Sequence, residues 1–592
     1  MSLTLAGSLR AGLALLFVAL VLAVFPWSED PTGPIKWLVL ALGVFACVSV
    51  LLIGTWLKDR PLRRPGTAFW LWAGLLGVSV LAAAAAPLSA YSLIEVRRLT
   101  VLVLLCLVST QVFTRSAHLR TFLGVVCGAA ALACLYAFAQ GCGVDFIAWG
   151  YTSSAGAALL PGTFGNPNYA SHMLVLCLIG AVYLAAHRGW RWAFGFALVF
   201  GIYIVWIRHR GGTAALVVAG ALVGIAKILE RSRRSALRKA ITTLAVLGVL
   251  MGIAIGVVVG ITYTHTGAFL PVDSSLYSRY HGYAGAVRMI QDKPWLGFGP
   301  GNYQIFSPEY WTRFEQERFV QSRAVNNHVH NDVLEVAVDT GIPGAILYLS
   351  LFCFTILAGL HRNFADPDPE ARRAGLFFAA FFCAFAVDGF FGFNIRLPAS
   401  AALFAVVLGA FDGLFATTPE TSGLVWKSTY PALLRRWIVL FAALVCVILE
   451  ARVFLSDVLH FVGRNATEQG QHALAEAAFG RAEQFAPWNW KLPAEQGAAA
   501  LVQGRYDKAV AHFNRALMRN PNDLMSLVNL ANVQLQRGLM PGRDADSRRD
   551  AELQREALQE AQFFARRALD LCPLLPEAED LESRATFFLG NR

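Results

Sequence analysis

The stretch "NNHVHNDVLEVAVDTGIPGAILYL", residues 326–349, opens with two histidines among small polar residues and slides through acidic positions into an apolar run. Its second half reads as a membrane helix, and it is one of many. Windows of about 20 apolar residues recur along the first 460 positions, each able to cross a hydrocarbon core about 30 Å thick. About twelve such runs, plus a thirteenth near 437–459, centre on residues 19, 46, 78, 106, 130, 179, 200, 221, 251, 352, 381, 406 and 448. The mean hydropathy of +0.51 and the 15% of charged residues agree, since a soluble chain carries about 25%. The expected fold class is all-α: a polytopic membrane helix bundle with a large outer loop and a C-terminal helical repeat domain.

A net charge of +11 raises the question of nucleic acid, and its placement answers it. With the N-terminus cytoplasmic, Arg10 and the alternate connections "KDRPLRR", "RSAHLR", "HRGWR", "KILERSRRSALRK", "HRNFADPDPEARR" and "KSTYPALLRR" hold 21 Lys and Arg, against about six in the short loops of the other side. That asymmetry follows the positive-inside rule, fixes the orientation and makes membrane lipids, not nucleic acid, the partner of the basic residues. Most of the ten cysteines lie in apolar runs and no CxxC occurs, so neither a disulfide framework nor a zinc site is expected. The first apolar run, Ala11 to Trp27, lacks a small-x-small cleavage site and reads as a retained helix.

One outer connection, about 264–332, is too long to be a simple loop. Within it "SRYHGYAGAVRMIQD" has the spacing of an amphipathic helix (Tyr280, Tyr283, Ala284, Val287, Ile290), and "KPWLGFGPGNY" is a Gly/Pro turn. A second outer loop, 141–169, ends in "GTFGNPNYASHML". The chain divides into a membrane domain (1–436), an additional transmembrane helix (437–462) and a soluble tail (463–592). The tail shows a 34-residue period in Gly470/Gly504/Gly538, Ala475/Ala509, Phe479/Phe513, Ala482/Ala516 and Pro487/Pro521. Ala568 and Pro573 continue it after about 18 extra residues. This spacing resembles the tetratricopeptide repeat, which implies an unidentified protein partner for the tail. With thirteen spans the repeats fall on the outer side.

Charged groups near a membrane are costly and rarely idle. Arg210 sits in "IRHRGGTAALVVAG", where Gly211 and Gly212 open a helix whose N–H groups and dipole favour an anion. Its planar fork suits phosphate oxygens, although an interfacial arginine reaching for lipid headgroups has the same pattern. Arg279 in "SSLYSRYHGY" is either a second such cation or part of a solvated helix face. Lys36 in "GPIKWLVL" stands at the same level, as a site cation or as an interfacial anchor beside Trp37. His330 has three readings. Asn331 or Asp332 beside it could cap the following helix. His328, His330 and Asp332 could ligate a metal only with strand-like alternation, yet the segment leads into a helix, so no metal is expected. The imidazole could also act as a general base towards a sugar hydroxyl.

His330-Asn331, nine residues, Gly341, two residues, Gly344 resembles the signature of the O-antigen ligase and Wzy-type polymerase superfamily. "GTFGNPNYAS" is similar to the family's Phe-Gly-Asn-x-Asn loop and contributes Asn166 and Asn168. Arg210-Gly211-Gly212 is similar to its Ser-Arg-Gly motif, with His209 where Ser is usual. "SRY…MIQDKPWLGFGPGNY" resembles the segment with the second arginine, Arg279, and "DGFFGFNIRLPASAALF" resembles the eleventh and twelfth spans. The resemblance covers about residues 11–416.

It implies a bacterial inner-membrane enzyme that transfers a glycan from an undecaprenyl-pyrophosphate carrier to an acceptor hydroxyl at the periplasmic face, with neither metal nor nucleotide cofactor. His330 would be the base; Arg210, Arg279 and Lys36 would bind pyrophosphate; Asn331, Gly211, Gly212, Asn166, Asn168 and His328 would support them. Gly341 and Gly344 would let a neighbouring helix or lipid tail pack closely. The leading acceptor is lipid A-core, as in O-antigen ligation. A growing polysaccharide, as in polymerases, and a protein hydroxyl are the alternatives. A transporter or non-enzymatic scaffold is the distant one, since transporters more often show duplicated halves with broken helices.

Overall fold

The computed structural model describes residues 3–57, 62–147, 149, 162–232, 234–266, 275–415, 430–540 and 548–590, and every regular element among them is helical. Nine helices come first: α1 (Leu3–Leu22), α2 (Gly33–Leu57), α3 (Thr67–Ala85), α4 (Ser89–Val112), α5 (Ser116–Gly141), α6 (Pro167–Ala185), α7 (Phe194–Trp206), α8 (Arg210–Leu229) and α9 (Ala236–Thr266). The long insertion holds α10 (Ser275–Asp292), α11 (Tyr303–Phe306) and α12 (Arg313–Ser322). The bundle resumes with α13 (Asp332–Ala365), α14 (Pro369–Gly389), α15 (Pro398–Phe415) and α16 (Tyr430–Glu468). Six helices of the tail follow: α17 (His472–Phe485), α18 (Lys491–Val502), α19 (Tyr506–Arg519), α20 (Leu524–Leu539), α21 (Arg548–Leu571) and α22 (Pro576–Gly590). Residues 267–274 of the insertion, 150–161 of the second outer loop and 541–547 of the extra repeat segment lie outside the described residues.

Each of the thirteen expected centres falls in a helix, and among the described residues ten helices are long and apolar enough to cross a membrane. α4 and α14 are not among these ten. α4 carries Glu95, Arg97 and Arg98 within its length, and Arg97 pairs inside the bundle with Glu450 of α16 at 2.9 Å. "LFFAAFFCAFA" makes α14 apolar on all sides, so it belongs at the centre. There Phe378, Phe381, Phe382 and Phe385 are fully buried, and Phe385 meets Phe404 of α15 at 4.4 Å.

α13 is broken at Gly341, whose backbone takes φ +71° and ψ −175°. The "KPWLGFGPG" segment lies against the break and satisfies the groups it frees. Phe298 N donates to Val338 O (2.8 Å), Gly299 N to Asp339 O (3.0 Å) and Ile342 N to Pro294 O (2.8 Å). A Cβ on Gly341 would lie 2.4 Å from the Trp295 carbonyl. The expectation that both glycines admit a helix or lipid tail is therefore corrected for Gly341. Gly341 admits a loop backbone and supplies a positive φ, while Gly344 faces Thr340 of its own helix and Leu75 of α3.

α16 runs unbroken across the boundary expected at 462, so the last span continues into the first helix of the repeat stack. Its last turns pair with α17, α18 with α19, and α20 with α21, with α22 closing the stack. Gly470 and Gly504 recur at 34 residues because both turns need a positive φ (+71° and +69°). The buried rings of Phe479 and Phe513 press on Gly463 and Gly497, a second pair of the same period, where a Cβ would come within 2.4 and 2.8 Å of ring atoms.

Candidate active site

Several chain segments meet where α6, α8 and α13 begin and α14 ends. Asn166 caps α6 by accepting the Asn168 N–H at 2.8 Å, with Pro167 in the first helical position. Asn168 is exposed on that turn, and the next turn carries Ser171 and His172 inward.

α8 is capped by a histidine. Nδ1 of His209 accepts the Gly212 N–H at 2.9 Å and lies 2.9 Å from Ser171 Oγ. The imidazole performs the task of a capping serine, so the departure at His209 leaves the helix start intact. The Gly212 N–H is taken by this cap and is not offered to an anion as expected; both glycines are buried. Their lack of a side chain lets α8 approach its neighbours: a Cβ would lie 2.9 Å from Phe391 and 2.5 Å from Ser171 respectively. Arg210, the first helical residue, remains exposed at the rim.

Asn331 caps α13 through the N–H groups of Val333 (3.0 Å) and Leu334 (3.1 Å). The preceding His330 takes a left-handed φ of +60°, which turns its half-buried ring edge-on to Phe393 at 5.2 Å. Tyr283 of α10 ties the assembly together, its hydroxyl donating to the carbonyls of His330 (3.0 Å) and Phe390 (2.8 Å). One turn earlier, Arg279 is half-buried.

At the end of α14, Asp388 accepts from His172 Nδ1 (2.7 Å) and Asn394 Nδ2 (2.9 Å) through one oxygen. Its other oxygen has no hydrogen-bond partner among the described residues. The charges of this cluster act on one another. Burial lowers the Arg279 guanidinium, Tyr283 and Asp388 oppose the shift, and Arg210 adds to it. Burial, then Arg279 and His328, push the His330 imidazole down to about 4, with Glu335 opposing. Arg210, Arg279 and His330, distant in sequence, thus share one electrostatic environment.

Two expected members are engaged by neighbours within the protein. Lys36 is buried, and its Nζ donates to the carbonyls of Leu20 (2.7 Å) and Val21 (2.9 Å) at the C-terminus of α1. A cation at the negative end of a helix is a capping device. His328 turns to Glu335 (2.7 Å) and stacks on Phe393 at 4.3 Å, and Asp332 is buried near Tyr348, so the triple with His330 is not gathered as a ligand set. Glu335 also pairs with Arg396 at 2.6 Å, which fixes the loop that carries both histidines. Among the described residues the group with metal-ligand spacing is His172, His209 and Asp388, their ligand atoms within 4.8 Å. Nδ1 of both histidines is already used, and two guanidinium groups nearby oppose a cation. His172, Asp388 and Tyr283 were not singled out in the sequence as site residues. A carboxylate closing an apolar run, as in "AVDGFF", is the signal that points to Asp388.

Residues 194–349 match the protein family described as O-Antigen ligase. The matched segment spans α7 to the middle of α13 and contains Arg210, Arg279, His330, Gly341 and Gly344. It supports a membrane glycosyltransferase of the ligase and polymerase type in a multi-pass chain. Residues 494–523 match the Tetratricopeptide repeat family, within the second helical pair of the tail. No curated protein matches the chain.

Proposed function

We propose that the protein transfers a glycan from an undecaprenyl-pyrophosphate carrier to an acceptor hydroxyl at the periplasmic face of the inner membrane, with lipid A-core as acceptor. The observation that carries this reading is that Tyr283 of α10 holds the carbonyls of His330 and Phe390, which brings Arg279, one turn earlier on α10, to the cluster where α8 begins at Arg210. The acceptor oxygen attacks the anomeric carbon as the bond to the pyrophosphate oxygen breaks. The leaving group takes the electron pair, and the anomeric centre inverts. Arg210 and Arg279 are the cations that would receive the charge developing on it. His330 takes the hydroxyl proton; held neutral by burial and Arg279, it is in its base form at pH 7. Asp388 orients His172 through its Nδ1 and opposes the effect of burial on Arg279.

The envelope glycan profile of a deletion strain tests the proposal. Loss of all capped lipid A-core supports ligation, whereas a single-unit cap reassigns the protein to polymerisation. A normal profile that persists alongside an unmodified glycoprotein reassigns it to protein glycosylation. A wholly normal set of envelope glycans refutes transfer.

A further inference from the structure

The repeat stack and the outer insertion are joined by α12, which begins with a capping box formed by Thr312 and Glu315. A ten-residue helix is unstable alone in water, so its order derives from what it packs on. One side belongs to the repeats. Phe319, 1% exposed, is part of their core with Phe513, Leu524 and Leu527, and Trp311 and Val320 pack on the edge. Polar ties flank it: Asn522 Nδ2 donates to Ile305 O at 3.2 Å and also bonds Glu309, while Arg323 pairs with Glu577 of α22.

The other side of α12 holds α10. The Phe314 ring stacks on His281 at 4.9 Å and meets Tyr277 edge-on at 5.0 Å. Arg318 Nη1 donates to Ser278 Oγ at 2.6 Å, one residue from Arg279. α10 is thus held by Tyr283 at the site, by Tyr310 near its C-terminal end and by α12 on the side of the repeats.

We propose that the tetratricopeptide repeats act in cis as a positioning device for Arg279, binding α12 of the same chain, which in turn sets α10 against Arg210 and His330. The ligand of this face of the stack is the chain's own insertion. The kinetic consequence rests on the reading of Arg279 as a pyrophosphate ligand; the mechanical one does not.

The test uses the full chain in nanodiscs, with hydrogen exchange of peptide 275–292 as the first readout and donor KM and kcat as the second. Phe314→Ala cuts the joint on the α10 side, Phe319→Ala cuts it on the repeat side, and Phe319→Leu restores the apolar contact. Both alanine variants are expected to speed exchange in 275–292 by ~10-fold, with peptide 524–539 monitoring the integrity of the stack. Donor KM rises by a similar factor, and Phe319→Leu restores both readouts. Phe563→Ala, exposed on α21, changes neither. If Phe314→Ala loosens 275–292 and Phe319→Ala does not, the repeats do not transmit to α10 and the proposal fails. If both loosen it while His330→Ala retains full transfer, the mechanical coupling stands and the transfer reading falls instead.

Discussion

Replacing Gly341 by alanine isolates the geometry behind the spacing of the motif. Its φ of +71° with ψ of −175° is a region that only glycine adopts freely, and holding alanine there costs about 1–3 kcal/mol. The new Cβ would also sit 2.4 Å from the Trp295 carbonyl carbon and 2.6 Å from the Pro294 oxygen, both backbone atoms that cannot swing away. Displacing that segment strains three hydrogen bonds, at Val338, Asp339 and Ile342, each contributing about 0.5–1.5 kcal/mol. Together the cost is about 2.5–7.5 kcal/mol, a large share of the 5–15 kcal/mol that separates folded from unfolded domains. Gly344→Ala is the internal control. Its backbone is helical, so no conformational strain is added; the methyl meets the hydroxyl and Cβ of Thr340, with Leu75 of α3 3.5 Å away, and displacing Thr340 from its bond to the Val336 carbonyl is expected to cost about 0.5–1.5 kcal/mol, below the cost at Gly341. Thermal unfolding of both variants in one detergent, read beside glycan transfer in proteoliposomes, separates the two positions. If Gly341→Ala melts with the parent, or the two alanines cost the same, the account of the motif as a helix break braced by the 293–301 segment is wrong.

Removing the imidazole with His330→Ala lowers transfer by ~10²–10⁴ at unchanged protein level in a reconstituted donor assay, and a variant at full rate excludes His330 as the base. Because His330 is depressed to about 4 in the free protein, the acid limb of kcat/KM falls well below pH 6.5, while bound pyrophosphate offsets Arg279 and moves the limb of kcat upward; coincident limbs would contradict this. The linked stability term has the same sign: the unfolded chain binds this proton from about pH 6.5 downward and the folded chain resists until about 4, so stability is full above 6.5 and drains across that window. His209→Ser, which keeps a capping oxygen, melts near the parent, whereas His209→Ala loses about 1 kcal/mol in the same scan; equal losses would mean that the cap is not what His209 provides. Lys36→Met removes two hydrogen bonds to the end of α1 and lowers stability by about 1–3 kcal/mol with donor KM unchanged, and a raised KM would return Lys36 to the site.

What the sequence disclosed depends on the range of the interaction that fixes each residue. Apolar runs mark the spans because crossing a bilayer is a local requirement of about 20 residues. The 34-residue period marks the repeats because turns and close helix packing recur within each pair, as at Gly470 and Phe479. Arg210, Arg279 and His330 stand out because charges beside a membrane are few. The roles of Lys36, Gly211 and Gly341 were not legible, since each is decided by a partner far along the chain or by a backbone angle. Lys36 finds carbonyls of another helix, Gly211 finds Phe391, and Gly341 finds Trp295. Nothing local distinguishes a lysine that binds a ligand from one that caps a helix.

The placement of Asp388 shows what the surrounding architecture is for. Three helices, α6, α8 and α13, present their N-termini to the cluster, each with a side-chain cap from Asn166, His209 or Asn331. Each such end carries about half a positive charge, so the backbone itself makes this face receptive to an anion. α14 arrives with the opposite polarity, and its last turn is where a carboxylate is least welcome. Asp388 is nevertheless there, buried, with one oxygen on His172 and Asn394 and the other without a hydrogen-bond partner among the described residues. A carboxylate kept at a helix C-terminus against its own dipole is held by its neighbours: His172 and Asn394 donate to it, and the capped N-termini of α6 and α8 stand beside it. If the cluster binds pyrophosphate as proposed, this internal carboxylate tempers the positive face before the donor arrives. Ground-state binding of the donor is then weaker than on a bare cationic face, while the leaving group, whose charge grows as the glycosidic bond breaks, gains more from the same cations. A difference of that kind is the one that raises a rate.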